Sequence, residues 1–174
     1  MRIYVTSDLH FNHLNLTKHL PATRPHFTNA NELNQWLINK WNSVVKKNDT
    51  VYHLGDFSVY SNKTFLMDMI EKLNGNIIFI KGNHDKNLHK VTMAHDYLEL
   101  NYNDITICMS HYPMLTWNKK HHGSIHLFGH CHGQSKFRNG RSMDVGIDAN
   151  NTILTLDDCV NMMLEVDKDL FEII

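Results

Sequence analysis

The 174-residue sequence predicts an α/β layered domain, and two observations carry that expectation. Short apolar runs rich in β-branched and aromatic residues alternate with segments of helical periodicity, and the chain's polar clusters fall just after those runs. The runs are Ile3–Thr6, Thr50–Leu54, 77–80, 105–109, Ile125–Phe128 and 143–147. Between them, Leu33, Leu37, Trp41 and Val44 recur on one face of a helix, with Asn29 and Glu32 as a capping pair at its start. Phe65, Met69, Ile70 and Leu73 form a second stripe that ends at Asn74-Gly75, and 155–166 is a third, shorter helix. Amphipathic spacing of this kind is read first as core.

At 20.4 kDa the chain suits one domain spanning 1–174, long enough to bury a sizeable core. A net charge of -1 and a pI near 6.9 give no general attraction to nucleic acid or an anionic membrane, so an anionic substrate must be held locally. Three cysteines (Cys108, Cys131 and Cys159) without CxxC spacing argue against a disulfide framework and a cysteine-rich zinc site. The start, MRIYVTSDLHF, lacks the apolar stretch of a signal peptide, and no run is long enough to span a bilayer. A cytoplasmic location is expected.

Fourteen histidines are spread along the chain, and their company is informative. After the first strand-like run comes Ser7-Asp8-Leu9-His10, after the second Gly55-Asp56, and one residue beyond the third Gly82-Asn83-His84-Asp85. The fourth is followed by His111 and the fifth by Gly129-His130-Cys131-His132. In α/β folds ligands gather at the carboxyl ends of strands. On extended backbone, Asp8 and His10, like His130 and His132, would point the same way and approach a cation together. A carboxylate such as Asp56 has two oxygens and can serve two cations, which together clamp the attacking and leaving oxygens of a displacement at phosphorus. Imidazole, carboxylate and amide donors without thiolate suit Mn, Fe, Zn, Co or Ni in an open site, with Mn favoured. Each motif alone is a weak signal; five in order, each after a strand, are specific. Glycine in three of them allows close backbone approach.

With these five motifs the chain resembles the calcineurin-like metallophosphoesterases over Asp8 to His132, and SDLHFNHLNL, WNSVVKKNDTVYHLGDF and Arg24-Pro25 are similar to a group of small stand-alone members. The resemblance implies two mixed β-sheets packed as a sandwich and flanked by helices. It implies one divalent metal ion on Asp8, His10, Asp56 and His132, and a second on Asp56, Asn83, His111 and His130. A hydroxide between the two cations would attack phosphorus while His84 protonates the leaving oxygen, with Asp85 supporting the histidines. Gly55-Asp56-Phe57-Ser58-Val59-Tyr60 lacks the further Asp and Arg of protein Ser/Thr phosphatases, which disfavours that activity. The missing cation must then come from elsewhere: Arg24, Lys86, Arg138 and Arg141 are candidates, and His13 is a candidate at the rim.

The expected substrate is a small phosphodiester or nucleotide; nucleic acid is possible but not favoured, because a near-neutral chain gains little of the affinity that a basic track along the backbone would give a processive nuclease. A phosphomonoesterase is the alternative. A non-catalytic scaffold is disfavoured because every implied ligand and His84 are present, and a metal-storage module would not need His84.

Overall fold

The computed structural model describes all residues except Pro21, Tyr60 and Ser61, so the end of the Gly55–Tyr60 stretch lies outside the described residues. The first half of the chain runs β1 (Ile3–Thr6), α1 (Leu16–His19), α2 (Ala30–Val44), β2 (Thr50–Leu54), α3 (Lys63–Lys72), β3 (Asn76–Ile80) and β4 (Ala94–His95). The second half runs β5 (Tyr97–Tyr102), β6 (Ile105–Ser110), β7 (Ile125–Phe128), β8 (Phe137–Asn139), β9 (Ser142–Asp144), α4 (Ile147–Asn150), β10 (Leu154–Thr155), α5 (Leu156–Leu164) and β11 (Phe171–Ile173).

Two mixed sheets form, as expected. The first has strand order β10-β1-β2-β3-β4, parallel except for β10; the second is β5-β6-β7-β9, parallel except for β5. A small β8/β11 ribbon, which the sequence did not announce, lies beside them. Because successive strand residues face opposite sides, β1, β2 and β3 each feed two cores. Val5, Leu54 and Ile80 pack with Ile107, Met109, Ile125 and Leu127 of the second sheet, joined by Leu156 and Cys159 of α5. Tyr4, Val51 and Phe79 instead pack against Leu33, Leu37 and Trp41 of α2 and Leu66 and Met69 of α3. Fully burying a side chain of this size stabilises by about 1.5–3 kcal/mol. Among the described residues no helix is long and apolar enough to cross a membrane.

Local chemistry accounts for the ends of the elements. Asn29 caps α2 by accepting from the Glu32 N–H at 3.0 Å, but the Glu32 carboxylate accepts from the Thr28 N–H rather than closing the box on Asn29. The helix expected over 155–166 is α5, opened by a full capping box between Thr155 and Asp158. The strand expected over 143–147 stops at Asp144, whose carboxylate accepts the Gly146 N–H at 2.7 Å and turns the chain into α4.

His53, on β2, lies on the helix side among Trp41, Phe57 and Phe79, with no hydrogen-bond partner for either ring nitrogen among the described residues. Burial lowers its pKa to about 3, and burial lowers that of His126 to about 4. Between these values and the ordinary 6.5 the unfolded chain holds protons that the folded chain refuses, so folding stability rises with pH across that window. His53→Leu is expected to reduce the slope of unfolding free energy against pH between 4 and 6 by about 1 kcal/mol per pH unit, read by urea titrations in chelator. An unchanged slope would show that His53 is protonated in the folded protein.

Candidate metal centre

Strands β1, β2 and β3 of one sheet and β6 and β7 of the other deliver their carboxyl ends to the same edge of the sandwich. The loops that follow are laced together through the backbone. The Asp8 N–H donates to Gly55 O at 2.9 Å, the His10 N–H to Asp56 O at 3.0 Å, and the Gly129 N–H to His111 O at 2.9 Å. Gly55 sits at φ +95°, where a Cβ would press on the His111 ring 2.6 Å away; a Cβ on Gly82 would overlap Asp56.

The expectation that Asp-x-His and His-x-His pairs lie on extended backbone is corrected. Asp8 (φ 59°), His10 (φ 52°), Asp56 (φ 55°), His130 (φ 69°) and His132 (φ 49°) all adopt the left-handed conformation. Asp and His tolerate it better than most residues, yet each such position costs about 1–3 kcal/mol and persists where surrounding bonds over-determine it. The side chains converge all the same. Three groups bring ligand atoms within 4.8 Å of one another: Asp8, His10 and His132; His10, Asp56 and His84; and Asp56, His111 and His130. Asn83 joins the last, its Oδ1 3.0 Å from His111 Nε2.

The imidazoles are oriented from behind. His111 Nδ1 lies 2.8 Å from the Leu54 carbonyl, which can only accept, so that nitrogen carries the proton and Nε2 faces the centre with a lone pair. His132 Nδ1 lies 2.8 Å from Asp148 Oδ2, with the same consequence. His10 Nδ1 meets His13 Nδ1 at 3.2 Å, leaving Nε2 to the centre. A neutral His111 would then oppose its lone pair to Asn83 Oδ1 and, at 3.5 Å, to Asp56 Oδ2, an arrangement that needs a positive charge between the groups. Burial works against a proton there, but the Asp56 carboxylate outweighs it and raises the His111 pKa.

The carboxylates tell the same story. Asp8 Oδ2 accepts from Ser7 Oγ at 2.5 Å and the His130 N–H at 2.9 Å, whereas Oδ1 has no partner among the described residues. His10 Nε2 is likewise buried without one, and the two atoms face each other at 3.9 Å. That separation is too long for a hydrogen bond but below the roughly 4 Å that two ordinary metal–ligand bonds of about 2.0–2.2 Å can span, so one cation could touch both atoms. Burial pushes the Asp8 carboxyl up to about 7, a cost that a bound cation would relieve. Burial also disfavours charge on Asp56, but the nearby His111 and His10 hold its carboxyl well below the usual range. Asp56 Oδ1 takes the His84 N–H at 2.8 Å, so the oxygen that faces the histidines is Oδ2, 3.4 Å from His10 Nε2 and 3.5 Å from His111 Nε2. The donor set thus fits divalent cations.

His84 stands at the mouth, its ring 41% exposed with Nε2 3.9 Å from Asp56 Oδ2. His13 is at the rim, 5.9 Å from the His84 ring and against His10. Two expectations need correction. Asp85 does not orient a histidine ring: buried, it accepts from the N–H groups of Asp56, Phe57, Ser58 and Gly82 at 2.8–3.3 Å, and so clamps the β2 and β3 loops together. Arg24 does not face a substrate. It is 1% exposed, and its guanidinium donates to both Asp148 oxygens at 2.7 and 2.8 Å and to the carbonyls of Asp8 and Leu9. Arg141 is likewise taken up by the Val166, Gly123 and Leu164 carbonyls, and Arg138 sits on β8 beside Glu172. His126, on β7, is a buried core residue.

The sequence reading gives Ser7 no role within Ser7-Asp8-Leu9-His10, and it does not mark Asp148, Asp144 or Tyr112 as site residues. Asp144 accepts the Gly133 N–H at 2.8 Å and so holds the loop of His132. Tyr112, half exposed, stands edge-on to His111 and His130 at 4.9 and 4.7 Å. Tyr112 adjoins His111 and could have been marked on that ground. Asp148 lies beyond the last motif and carries no local signal.

Comparison with known proteins agrees with this geometry. Residues 1–146 match the family model for the calcineurin-like phosphoesterase superfamily domain. An uncharacterized protein of Methanocaldococcus jannaschii is 39% identical over 132 residues, covering 75% of this chain and 69% of that protein. A protein of unknown function from Aquifex aeolicus has a similar structure, with a TM-score of 0.71 at 23% identity over 92% of this chain and 98% of its own. An archaeal phosphodiesterase shares the fold at a TM-score of 0.50 and 20% identity, with both chains fully covered.

Proposed function

Because this chain belongs to the calcineurin-like phosphoesterase superfamily, we propose that it hydrolyses phosphodiesters with the help of two divalent metal ions at the carboxyl ends of its strands. The observation that carries this reading is the facing pair Asp8 Oδ1 and His10 Nε2, neither of them hydrogen-bonded among the described residues, set beside His111 and His132, whose Nδ1 atoms are already engaged. Asp8, His10, Asp56 and His132 would hold one ion; Asp56, Asn83, His111 and His130 the other, with Mn²⁺ the favoured metal. Such cations acidify water and offset charge on the phosphoryl oxygens.

The chain's own residues do the rest. Asp56 fixes the mouth of the site through its bond to the His84 amide, which leaves the His84 imidazole free to donate a proton to the departing oxygen. Asp85 and Asp148 keep loops and rings in register, so little reorganisation is needed as charge develops. The centre opens directly to solvent at His84 and His130, which suits a small extended substrate.

The test is to strip the protein with chelator, restore Mn²⁺, and follow hydrolysis of a nitrophenyl phosphodiester and the matching monoester. Diester turnover should appear only with metal. Mn²⁺ at about 100 times its Kd should also stabilise the fold by about 2.7 kcal/mol in thermal unfolding. A thermal shift without turnover of either ester would leave a metal-binding protein and remove the hydrolase reading. Faster monoester turnover would make it a phosphomonoesterase.

A further inference from the structure

Arg24 and Arg141 are held by internal partners, and Arg138 lines neither cleft beside the centre, so no arginine among the described residues of those clefts meets the substrate's negative charge. Two clefts flank the centre, and among their described lining residues they share only Asn83 and Lys86. The first, about 340 Å³, has an apolar floor of Val59, Leu66 and Leu88, with His84 and Asn87 at its edge. The second, about 450 Å³, is polar: Lys81, Lys86 and Asp96 line it together with Tyr112. Both lysines are exposed, and neither is held in an ion pair among the described residues. The Lys86 main chain is fixed next to the centre, its N–H donating to His84 O at 2.9 Å.

Resting on the phosphodiesterase reading, we infer that Lys86 is the cation that meets the scissile phosphate, and that the two clefts seat the two alcohols of an asymmetric phosphodiester. The structure assigns the leaving alcohol to the apolar cleft, because His84, the proton donor, lines that cleft and not the other. Hydrolysis breaks the bond between phosphorus and that oxygen, which takes the proton from His84, while water supplies the oxygen newly bonded to phosphorus. The retained group lies in the second cleft, where two lysines against one aspartate favour a polar group carrying negative charge. The substrate class is then a diester with an apolar or aromatic leaving alcohol and an anionic retained side, such as a phosphorylated nucleoside. A monoester would fill one cleft and leave the other unused.

The experiment uses the Mn²⁺-loaded full chain and three nitrophenyl esters: the bis(4-nitrophenyl) diester, the thymidine 3′-phosphate 5′-(4-nitrophenyl phosphate) diester, and 4-nitrophenyl phosphate. Lys86→Ala should raise KM for both diesters about tenfold with kcat within about twofold, and Lys86→Arg should restore most of the loss, since charge-assisted contacts are worth about this much. Lys81→Glu should lower kcat/KM about tenfold for the thymidine diester and leave the bis(4-nitrophenyl) diester within twofold. Unchanged KM in Lys86→Ala, or equal loss on both diesters in Lys81→Glu, overturns the inference while metal-dependent turnover of the parent still stands. If the parent turns over no ester, the hydrolase reading fails, and calorimetry with thymidine 3′,5′-bisphosphate decides the site on its own. Binding weakened about tenfold by Lys86→Ala upholds the charge assignment, and equal or absent binding overturns it.

Discussion

His84→Ala is expected to lower turnover of a diester with an alkyl or nucleoside leaving group by about 10²–10⁴-fold, with metal content unchanged. The geometry separates the two effects. What ties this residue to the centre is its main-chain N–H on Asp56 Oδ1, and an alanine keeps that bond. What alanine removes is a ring 41% exposed at the mouth, whose Nε2 is 3.9 Å from Asp56 Oδ2 and belongs to one of the three ligand-distance groups. A leaving group that departs without protonation needs a proton donor least, so the loss should be smaller with nitrophenyl than with nucleoside esters. Metal content by atomic absorption, alongside kcat for both substrates, makes the comparison. Parallel loss of metal and activity would make His84 a ligand; equal loss on both substrates would remove its role as an acid.

Much of this site is legible in the sequence because the physics there is local. A parallel strand must end where its loop begins, so polar residues after Ile3–Thr6 and Thr50–Leu54 are placed at one sheet edge by topology alone. The α2 stripe reads correctly for the same reason, Leu33, Leu37 and Trp41 being fully buried at the expected spacing, whereas around α3 the buried face is Leu66, Met69 and Leu73, with Phe65 and Ile70 only partly buried. The failures are of another kind. Tyr97–Tyr102 alternates apolar and polar residues and leads into Asn103 and Asp104, both at positive φ, a hairpin signal that was present and passed over. Strands of two or three residues, such as Ala94–His95 and Leu154–Thr155, are too short to have a period and exist because a neighbour pairs with them. The left-handed backbone of five candidate ligands is imposed by bonds between loops, so residue identity alone does not announce it. Arg24 misled for a related reason. A cation near the candidate ligand motifs looks like a substrate contact until its partner, 124 residues away, is known.

That partnership sets the second large effect. Arg24→Met is expected to destabilise the fold by about 3–5 kcal/mol, since removing one member of a buried ion pair leaves the other uncompensated. Asp148, 5% exposed, receives Arg24 Nε at 2.8 Å and Nη2 at 2.7 Å, the Thr23 hydroxyl at 3.0 Å, and His132 Nδ1 at 2.8 Å. Without the guanidinium, the same carboxylate would have to be satisfied by His132 and Thr23 alone, and the carbonyls of Asp8 and Leu9 would lose their donors. Both consequences reach the metal centre, because Asp148 orients His132 and the Asp8 carbonyl belongs to a residue of the ligand cluster. Metal affinity should therefore fall by about 10–100-fold as well, the usual cost of losing the group behind a ligand. Arg24→Lys should recover little, because an ammonium cannot reproduce the paired bonds to Asp148 while also reaching two carbonyls. The double variant Arg24→Met/Asp148→Leu separates the two roles. Stability should partly return once no buried charge is stranded, whereas metal affinity should stay low because His132 has lost its acceptor. Urea unfolding in chelator and Mn²⁺ titration read the two quantities independently. Stability within about 1 kcal/mol of the parent in Arg24→Met would show that the Arg24–Asp148 pair does not support the fold, and recovery of metal affinity in the double variant would show that Asp148 does not hold His132 in place.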